Sequence, residues 1–286
     1  MSTRTQTSPV SREQLERLER DGYFIARGVV DAESIDRIRE AMLEFMTGKR
    51  ELSAREMVHE LDAMPMDELK TKLRKLGGLG RSTREMWEGY YAGPRVLEHV
   101  RHFLGDTIWL KFDSVFLKPA KVGGATPWHQ DIGLWRDVNS DAWNAWLAVD
   151  PATRENGCLR FVPGTHAGGV VPHIKYPDTP HGELPRKLVE RTIAERGVHY
   201  AELRPGDCVM WHSHLWHYSP ANTSDKRRIG MGAVWINPQQ LSQVRLRSFP
   251  PVMIDGEIQP FPPQPNDVTP GLHMPVNEHV DVDDIA

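Results

Sequence analysis

Cysteine is nearly absent from the sequence, which has only Cys158 and Cys208 among 286 residues. Two cysteines are too few for a disulfide framework or for a zinc module built from cysteines. We expect both to be buried free thiols of a cytoplasmic protein. No apolar run approaches the ~18 residues that a membrane span needs, and the polar N-terminus lacks the apolar segment of a signal peptide.

A large excess of charge of one sign is also missing. Lys and Arg number 35 against 39 for Asp and Glu, which gives a formal net charge of −4. This balance provides no basis for nucleic-acid binding. The content of 39% hydrophobic and 26% charged residues is typical of a globular enzyme with a sizeable core. We expect a small-molecule substrate and no membrane partner, and no feature of the sequence predicts an oligomeric state.

Helical patterns come first in the chain and β-rich patterns follow. Ser11 is a candidate N-cap of a helix that Gly22 ends, and the strand-like "YFIARGVV" and the amphipathic "DAESIDRIREAMLEFM" come next. Residues 47–92 are charged and helical in pattern, which predicts a cover or lid. Short β-rich runs such as "TIWLKFDSVFLK" and "RRIGMGAVWI" follow from about residue 107. This order predicts a mainly β fold with helices on its outside.

The same patterns predict one domain with loose ends. We expect residues 1–10 to form a flexible tail and residues 11–262 to form the single domain. From Phe249 onward the chain is rich in proline and finally acidic. This composition predicts an irregular arm, with residues 263–286 outside the domain.

Two His-x-Asp pairs are candidates for metal binding. His129 and Asp131 lie in "TPWHQDIGLW", and His279 and Asp281 lie in "EHVDVDD". With 13 histidines, about one such pair is expected by chance, so the pattern alone is weak evidence. The second pair lies in the loose C-terminus, which cannot hold ligands to the geometry of a metal. The first pair is therefore the candidate.

A third ligand for this pair is expected in "WHSHLWHYSPANTSDKRRIGMGAVW". His212 and His214 share one face of a strand and are themselves a possible zinc pair. His217 follows, just before a turn-like stretch. The strand positions alone do not choose among the three histidines.

Arg228 lies on a strand eleven residues after His217. Gly230 and Gly232 share its face and predict open space in front of the guanidinium. An arginine beside such a space suits a small dicarboxylate, because it binds a carboxylate through two parallel hydrogen bonds. A surface ion pair is the alternative interpretation of Arg228.

Several motifs together resemble one known family. "TPWHQD", "ENGCLRFVPGTH" and "HYSPANTSDKRR" occur in the order of the phytanoyl-CoA dioxygenase family of iron(II)/2-oxoglutarate oxygenases, and "LERDGYFIARGVV" resembles its N-terminal segment. The resemblance covers most of residues 11–240. It implies a double-stranded β-helix core, also called a jelly-roll or cupin-like core, with outer helices.

The resemblance also implies a set of functional residues. His129, Asp131 and His217 would bind iron(II), with three positions left for 2-oxoglutarate and O2. Arg228 would pair with the far carboxylate of 2-oxoglutarate. The implied reaction hydroxylates a small molecule, such as a secondary metabolite, and releases succinate and CO2. Because Asp131 is present, halogenation is disfavoured, while desaturation and ring chemistry stay open.

Further residues receive roles around the co-substrate from the same resemblance. Ser219 would add a hydroxyl to the carboxylate grip, and Trp146 would line the pocket unless it is a core tryptophan. Thr126 and Gln130 would contact 2-oxoglutarate or substrate. His166 is expected to be structural. Other motif residues are expected to shape turns: Asn156, Gly157, Asn222 and Ser224.

Substrate contacts are predicted on two sides of the metal pair. Lys111 and Asp113 alternate with apolar residues, so we expect a polar strand face toward the cavity. Trp135 and Arg136 follow the pair directly. Five cations of the predicted lid offer a phosphate site, although a solvated helix face is the favoured interpretation: Lys70, Lys72, Arg74, Lys75 and Arg81.

Two other functions are compatible with these residues. A cupin-like hydrolase would use the same three ligands with zinc and would have no role for Arg228. A non-catalytic small-molecule-binding protein of the same fold is the second alternative. It is disfavoured because both histidines, the aspartate and the arginine are all present.

Overall fold

The computed structural model of the chain has two antiparallel β-sheets that face each other. It describes residues 9–47, 49–50, 75–121, 124–135, 142–179, 181–240 and 249–261. The strands are β1 Tyr23–Ala26, β2 Lys75–Gly77, β3 Ile108–Lys118, β4 Thr126–His129, β5 Ala142–Ala148, β6 Leu159–Phe161, β7 His199–Ala201, β8 Cys208–His212, β9 His217–Ser219, β10 Arg228–Ile236, β11 Pro251–Ile254 and β12 Glu257–Ile258.

The helices lie mostly at the N-terminal end of the chain. The α-helices are α1 Arg12–Asp21, α2 Ala32–Thr47, α3 Leu79–Ser82, α4 Arg84–Met86, α5 Pro94–Leu104, α6 Asp131–Leu134 and α7 Arg186–Arg196. A π-helical turn spans Trp87–Tyr91, and 3₁₀ turns span Thr165–Gly168 and Pro238–Gln240. Within the described residues, no helix is both long and apolar enough to cross a lipid bilayer.

The large sheet has the strand order β1-β8-β5-β10-β3-β11-β12, with β2 also paired to β3. The small sheet has the order β4-β9-β6-β7. Two facing antiparallel sheets with helices outside confirm the predicted jelly-roll fold.

The first two helices form as their sequence predicts. The Ser11 side chain accepts from the Gln14 N–H while the Gln14 side chain accepts from the Ser11 N–H, and Gly22 ends the helix with φ 86°. Helix α2 buries the apolar side that its periodicity marks: Ile35, Ile38, Met42 and Phe45. These side chains join the core that covers the outer face of the large sheet.

Alternation along β10 separates the two faces of the large sheet. The outer face packs against the helices through four buried residues: Ile229, Met231, Ala233 and Trp235. Arg228, Gly230 and Gly232 lie on the inner face, toward the small sheet. The predicted division of this strand is therefore confirmed.

A second core lies between the sheets. Tyr23 of β1 stacks on Phe161 of β6 with ring centroids 4.6 Å apart, and Trp146 and Trp211 belong to the same cluster. Cys158, also in this cluster, and Cys208 are both buried free thiols. Burial raises the pKa of Cys158 to about 11 and that of Cys208 to about 12.

The structure differs from the sequence prediction at three boundaries. Lys75–Gly77, within the predicted helical lid, pairs as a strand with β3, while residues 51–74 lie outside the described residues. The chain after Phe249 is not irregular, because β11 joins β3 and β12 joins β11. Val10 is buried in the core rather than being part of a free tail. Residues 1–8 and 262–286 lie outside the described residues.

Candidate metal centre and co-substrate pocket

Two neighbouring strands of the small sheet bring the candidate metal ligands together. His129 at the end of β4 lies directly opposite His217 at the start of β9, and their ring centroids are 4.0 Å apart. The chain turns after His129, and Asp131 begins the short helix α6. One turn of chain therefore brings the carboxylate back beside the two imidazoles.

The three candidate ligands converge on one point. Oδ1 of Asp131 is 3.7 Å from Nε2 of His129 and 3.6 Å from Nε2 of His217. The three ligand atoms lie within 4.8 Å of one another, and the described part of the chain contains no other such His/Cys/Asp/Glu group. Two histidines and one carboxylate are the ligand set of non-haem iron(II) oxygenases.

Hydrogen bonds orient each of these ligands. Nδ1 of His129 donates to the Pro127 carbonyl at 2.8 Å, and Nδ1 of His217 donates to the Leu215 carbonyl at 3.0 Å. Both Nε2 atoms therefore carry the lone pair that a metal needs. The indole N–H of Trp211 donates to Oδ2 of Asp131 at 3.0 Å, which leaves Oδ1 toward the imidazoles.

Electrostatics favour the metal-binding protonation states. Burial and the neighbouring His217 lower the pKa of His129, so its imidazole is neutral. Burial acts to raise the pKa of Asp131, but the two histidines and the Trp211 N–H outweigh it and the pKa is lowered. A neutral imidazole and an ionised carboxylate are the forms that bind a cation.

Arg228 is buried on the inner face of the large sheet without a carboxylate partner among the described residues. Its side chain is 2% exposed, Nη1 donates to the Gly157 carbonyl at 2.5 Å, and Nε has no hydrogen-bond partner. Burial lowers the pKa of Arg228 to about 10, so the guanidinium remains charged at neutral pH. A buried cation with an unsatisfied N–H is a site for an anion.

The neighbours of Arg228 correct the prediction of open space in front of the guanidinium. The space beside Gly230 is not empty, because a Cβ there would lie 1.7 Å from the Trp146 ring. That ring lies under the guanidinium, 4.7 Å from its centroid. The Ser219 hydroxyl donates at 2.8 Å to the same Gly157 carbonyl that Arg228 contacts. The arginine, the tryptophan and the serine therefore meet at one place.

Gln130 has a structural position rather than the predicted contact with co-substrate. Its side-chain amide donates to the carbonyls of Gly169 and His214, both at 2.7 Å, and accepts from the Val171 N–H at 2.8 Å. These three hydrogen bonds connect Gln130, which lies between the ligands His129 and Asp131, to the loop after Gly168 and to the turn before His217. Thr126, by contrast, lies half-buried opposite Ser219 in the small sheet, next to the arginine site.

Lys111 and Asp113 do not share a face, which corrects the predicted polar strand. The register of β3 with β10 shifts beside Lys111, and this β-bulge re-aims its side chain. The Lys111 ammonium lies 3.9 Å from the centroid of the Trp135 ring, whereas Asp113 pairs with Arg81 under the helical cover at 3.1 Å. Arg136 lies outside the described residues.

Other predicted residues take structural positions. His212 accepts from the backbone N–H of His214 at 3.1 Å, and neither belongs to the metal group. Asn222 donates to the Lys118 and Lys226 carbonyls, so it shapes its loop as predicted. Three further residues behave as expected: Asn156 caps the Thr153 turn, Gly157 has φ 87°, and Ser224 bonds Asn222.

Sequence reasoning missed three side chains at the site. His173 accepts from the Gln130 backbone N–H at 2.9 Å, His181 lies edge-on to His129 with centroids 5.2 Å apart, and Trp211 holds Asp131. The two histidines lie on a loop without any periodic pattern. The only sequence signal for these two residues was that they are histidines, and the chain has 13 histidines in all.

Comparison with known proteins agrees with this geometry. The model of the family described as phytanoyl-CoA dioxygenase matches residues 18–230. A probable phytanoyl-CoA dioxygenase of Caenorhabditis elegans is 27% identical over 241 residues, which are 80% of this chain and 76% of that protein. The L-proline trans-4-hydroxylase of Streptomyces griseoviridis is 28% identical over 152 residues, 47% of this chain and 57% of that protein. Human peroxisomal phytanoyl-CoA dioxygenase is 26% identical, with coverage of 73% and 63%. The chain thus spans between 57% and 76% of the length of these relatives.

Solved structures share the fold at low sequence identity. EctD from S. alaskensis with 2-oxoglutarate and 5-hydroxyectoine has a TM-score of 0.70 at 20% identity, covering 84% of this chain and 80% of that one. The 2-oxoglutarate-dependent epimerase SnoN has a TM-score of 0.57 at 23% identity, with coverage of 79% and 82%. Both support the same jelly-roll architecture.

Proposed function

Since the chain belongs to the phytanoyl-CoA dioxygenase family, whose members are iron(II)/2-oxoglutarate-dependent dioxygenases, we propose that it hydroxylates a small-molecule substrate with release of succinate and CO2. His129, Asp131 and His217 would hold iron(II), and their lone pairs and charge fit that ion. When bound together, iron(II), 2-oxoglutarate and O2 supply the oxidising chemistry. The protein orients the substrate and excludes water.

Arg228 is the observation that carries this proposal. A fully buried arginine with no carboxylate partner among the described residues is unfavourable unless an anion binds it. The far carboxylate of 2-oxoglutarate supplies that anion. The Ser219 hydroxyl lies beside it and would turn from the Gly157 carbonyl to donate to the carboxylate. Trp146 forms the floor of the pocket under the guanidinium. A cupin-like hydrolase has no use for such an anchor.

The cover completes the proposed catalytic domain of residues 11–262. The cover within residues 47–92 supports the site through β2, which pairs with β3, and through its helical turns, which pack on the outer core. Trp135, with Lys111 over its ring, stays a proposed substrate contact.

A cytoplasmic location is also proposed, because both cysteines are free thiols. Cell fractionation tests the location.

An anaerobic titration tests the function directly. Purified protein receives iron(II) and then 2-oxoglutarate, and the weak visible charge-transfer absorption of the chelate is recorded. We expect the band in the wild type, and we expect bound iron without the band in Arg228→Met at the same co-substrate concentration. Iron binding without the band in the wild type would favour the hydrolase, and failure to bind iron would favour the non-catalytic protein.

A further inference from the structure

His181 lies on a hairpin that folds over the metal centre. The backbones of Ile174 and Glu183 pair with each other, and Arg186 at the base binds both Glu183 and Asp178. This anchoring holds the edge of the His181 ring against His129. The imidazole is therefore held beside a metal ligand.

The hydrogen bonds of His181 show which ring atom is available. Nδ1 donates to the Gly182 carbonyl at 2.7 Å, so Nε2 of the neutral ring carries a lone pair. His173, on the same hairpin, also uses Nδ1 on a carbonyl, but its Nε2 already accepts from the Gln130 N–H. Among the described residues, Nε2 of His181 has no such donor.

A lysine and two phenyl rings lie on the inner face of the large sheet, which faces the small sheet. Lys75 of β2 lies opposite Phe116 on the inner face. Its ammonium is 4.8 Å from the Phe112 ring centroid and 5.6 Å from that of Phe116. Both phenyl rings are half-exposed although they face the inside of the fold, so they border open space.

On the basis of the proposed function, we propose that His181 binds the substrate, with Nε2 accepting a hydrogen bond from a substrate hydroxyl or amide N–H. The apolar part of the substrate lies beside Phe112 and Phe116. Lys75, whose ammonium lies over these two rings, disfavours an ammonium group at this position, because like charges repel. The substrate class is therefore an uncharged or anionic molecule that carries a hydrogen-bond donor.

Four small probes that share one phenylpropyl body test this assignment. They are 3-phenylpropan-1-ol, its methyl ether, 3-phenylpropanamide and 3-phenylpropylammonium. Each is titrated into anaerobic protein loaded with iron(II) and 2-oxoglutarate, and relaxation of the probe protons by the nearby iron is followed by NMR. We expect the alcohol or the amide to bind about fivefold more tightly than the ether, as one neutral hydrogen bond implies. The tighter of the two identifies the donor.

Three variants separate the role of His181 from that of Lys75. His181→Phe keeps the ring and should remove the preference over the ether, while His181→Gln keeps an acceptor and should retain part of it. Lys75→Met should improve binding of the ammonium probe. His99→Phe is the control, because His99 also donates from Nδ1 to a carbonyl but lies on the surface of α5.

Three results would overturn the proposal. The first is that the ether binds the wild type as tightly as the alcohol and the amide do. The second is that the preference for a hydrogen-bond donor survives in His181→Phe. The third is that no probe is relaxed by the iron. Each of them leaves the charge-transfer band of the 2-oxoglutarate chelate intact. Loss of the band in the wild type would instead refute the proposed function.

Discussion

On the small sheet, each side chain that forms the metal corner has its hydrogen-bond partner, whereas on the large sheet Nε of Arg228 has none among the described residues. The metal corner is thus oriented by the protein itself. The arginine pocket carries a buried positive charge that becomes balanced when an anion enters. Before the co-substrate binds, the metal ligands are therefore already oriented, whereas the Arg228 guanidinium still lacks an anion.

This difference has an energetic consequence. A buried unpaired charge destabilises the fold, while a binding anion stabilises it. If Arg228 binds the co-substrate as proposed, the arginine pocket gains more from 2-oxoglutarate than the metal corner does. The following variants test the comparison, in order of decreasing expected effect.

Removal of a metal-ligand side chain should abolish iron binding at the metal corner. We expect His217→Ala and Asp131→Ala to lose more than about a hundredfold in iron(II) affinity, since loss of an outer partner alone costs 10–100-fold. Metal content after anaerobic dialysis measures the effect. His102→Ala, on the surface of α5, is the control. Iron retention in both ligand variants would show that the corner is not the metal site.

Removal of the Arg228 side chain should affect only the co-substrate pocket and not the metal corner. Arg228→Met should bind iron normally and lose about a hundredfold in 2-oxoglutarate affinity, because charge-assisted bonds contribute ~1.5–3 kcal/mol each. Its unfolding free energy without co-substrate should not fall, because an unpaired charge is removed. Chemical denaturation with and without 2-oxoglutarate measures both. Arg154→Met, which removes an arginine over Tyr200, is the matched control. An equal response to 2-oxoglutarate in Arg228→Met and wild type would refute the anchor.

Removal of an orienting bond should weaken iron binding at the metal corner. Trp211→Phe loses the N–H that holds Asp131, and we expect about a tenfold loss of iron affinity. Trp235→Phe loses an indole bond to the Tyr91 carbonyl, remote from the ligands. It should be destabilised without a change in iron affinity. Equal iron affinity in the two variants would mean that the Trp211 bond does not orient the carboxylate.

Removal of the hydroxyl should have the smallest effect. Ser219→Ala should lower 2-oxoglutarate affinity by no more than about fivefold, the value of one hydrogen bond of ~1 kcal/mol, because the hydroxyl must leave the Gly157 carbonyl to reach the carboxylate. Ser82→Ala removes a hydroxyl that bonds a carbonyl elsewhere and serves as control. Calorimetric titration of the iron-loaded proteins measures both. An unchanged affinity in Ser219→Ala would restrict the serine to holding Gly157.

The parts of the site that lie on regular elements were predictable from the sequence. His129 and Asp131 form a local pair, and the alternation of β10 correctly placed Arg228 on the inner face, whereas only the family resemblance chose His217 over His212 and His214. These predictions work because strand periodicity and turn position are local properties. The same local rules also identified the ends of α1.

The parts that depend on tertiary contacts were not predictable. The bulge that re-aims Lys111 arises from pairing between β3 and β10, which no single segment specifies. Gln130 is occupied by loop carbonyls distant in sequence. The strand β11 was missed because the prolines around it suggested an irregular chain, yet Pro251 stands at the first position of its strand, where proline is tolerated.

The two buried thiols bear on how long such an enzyme survives its own turnover. Oxidants that escape when O2 is consumed without substrate attack thiolates in preference to thiols. With pKa values raised to about 11 and about 12, Cys158 and Cys208 remain thiols at neutral pH. Neither is a ready target for sulfenic acid formation, although Cys158 is close enough to feel the charge of Arg228. Self-inactivation should therefore proceed through other residues.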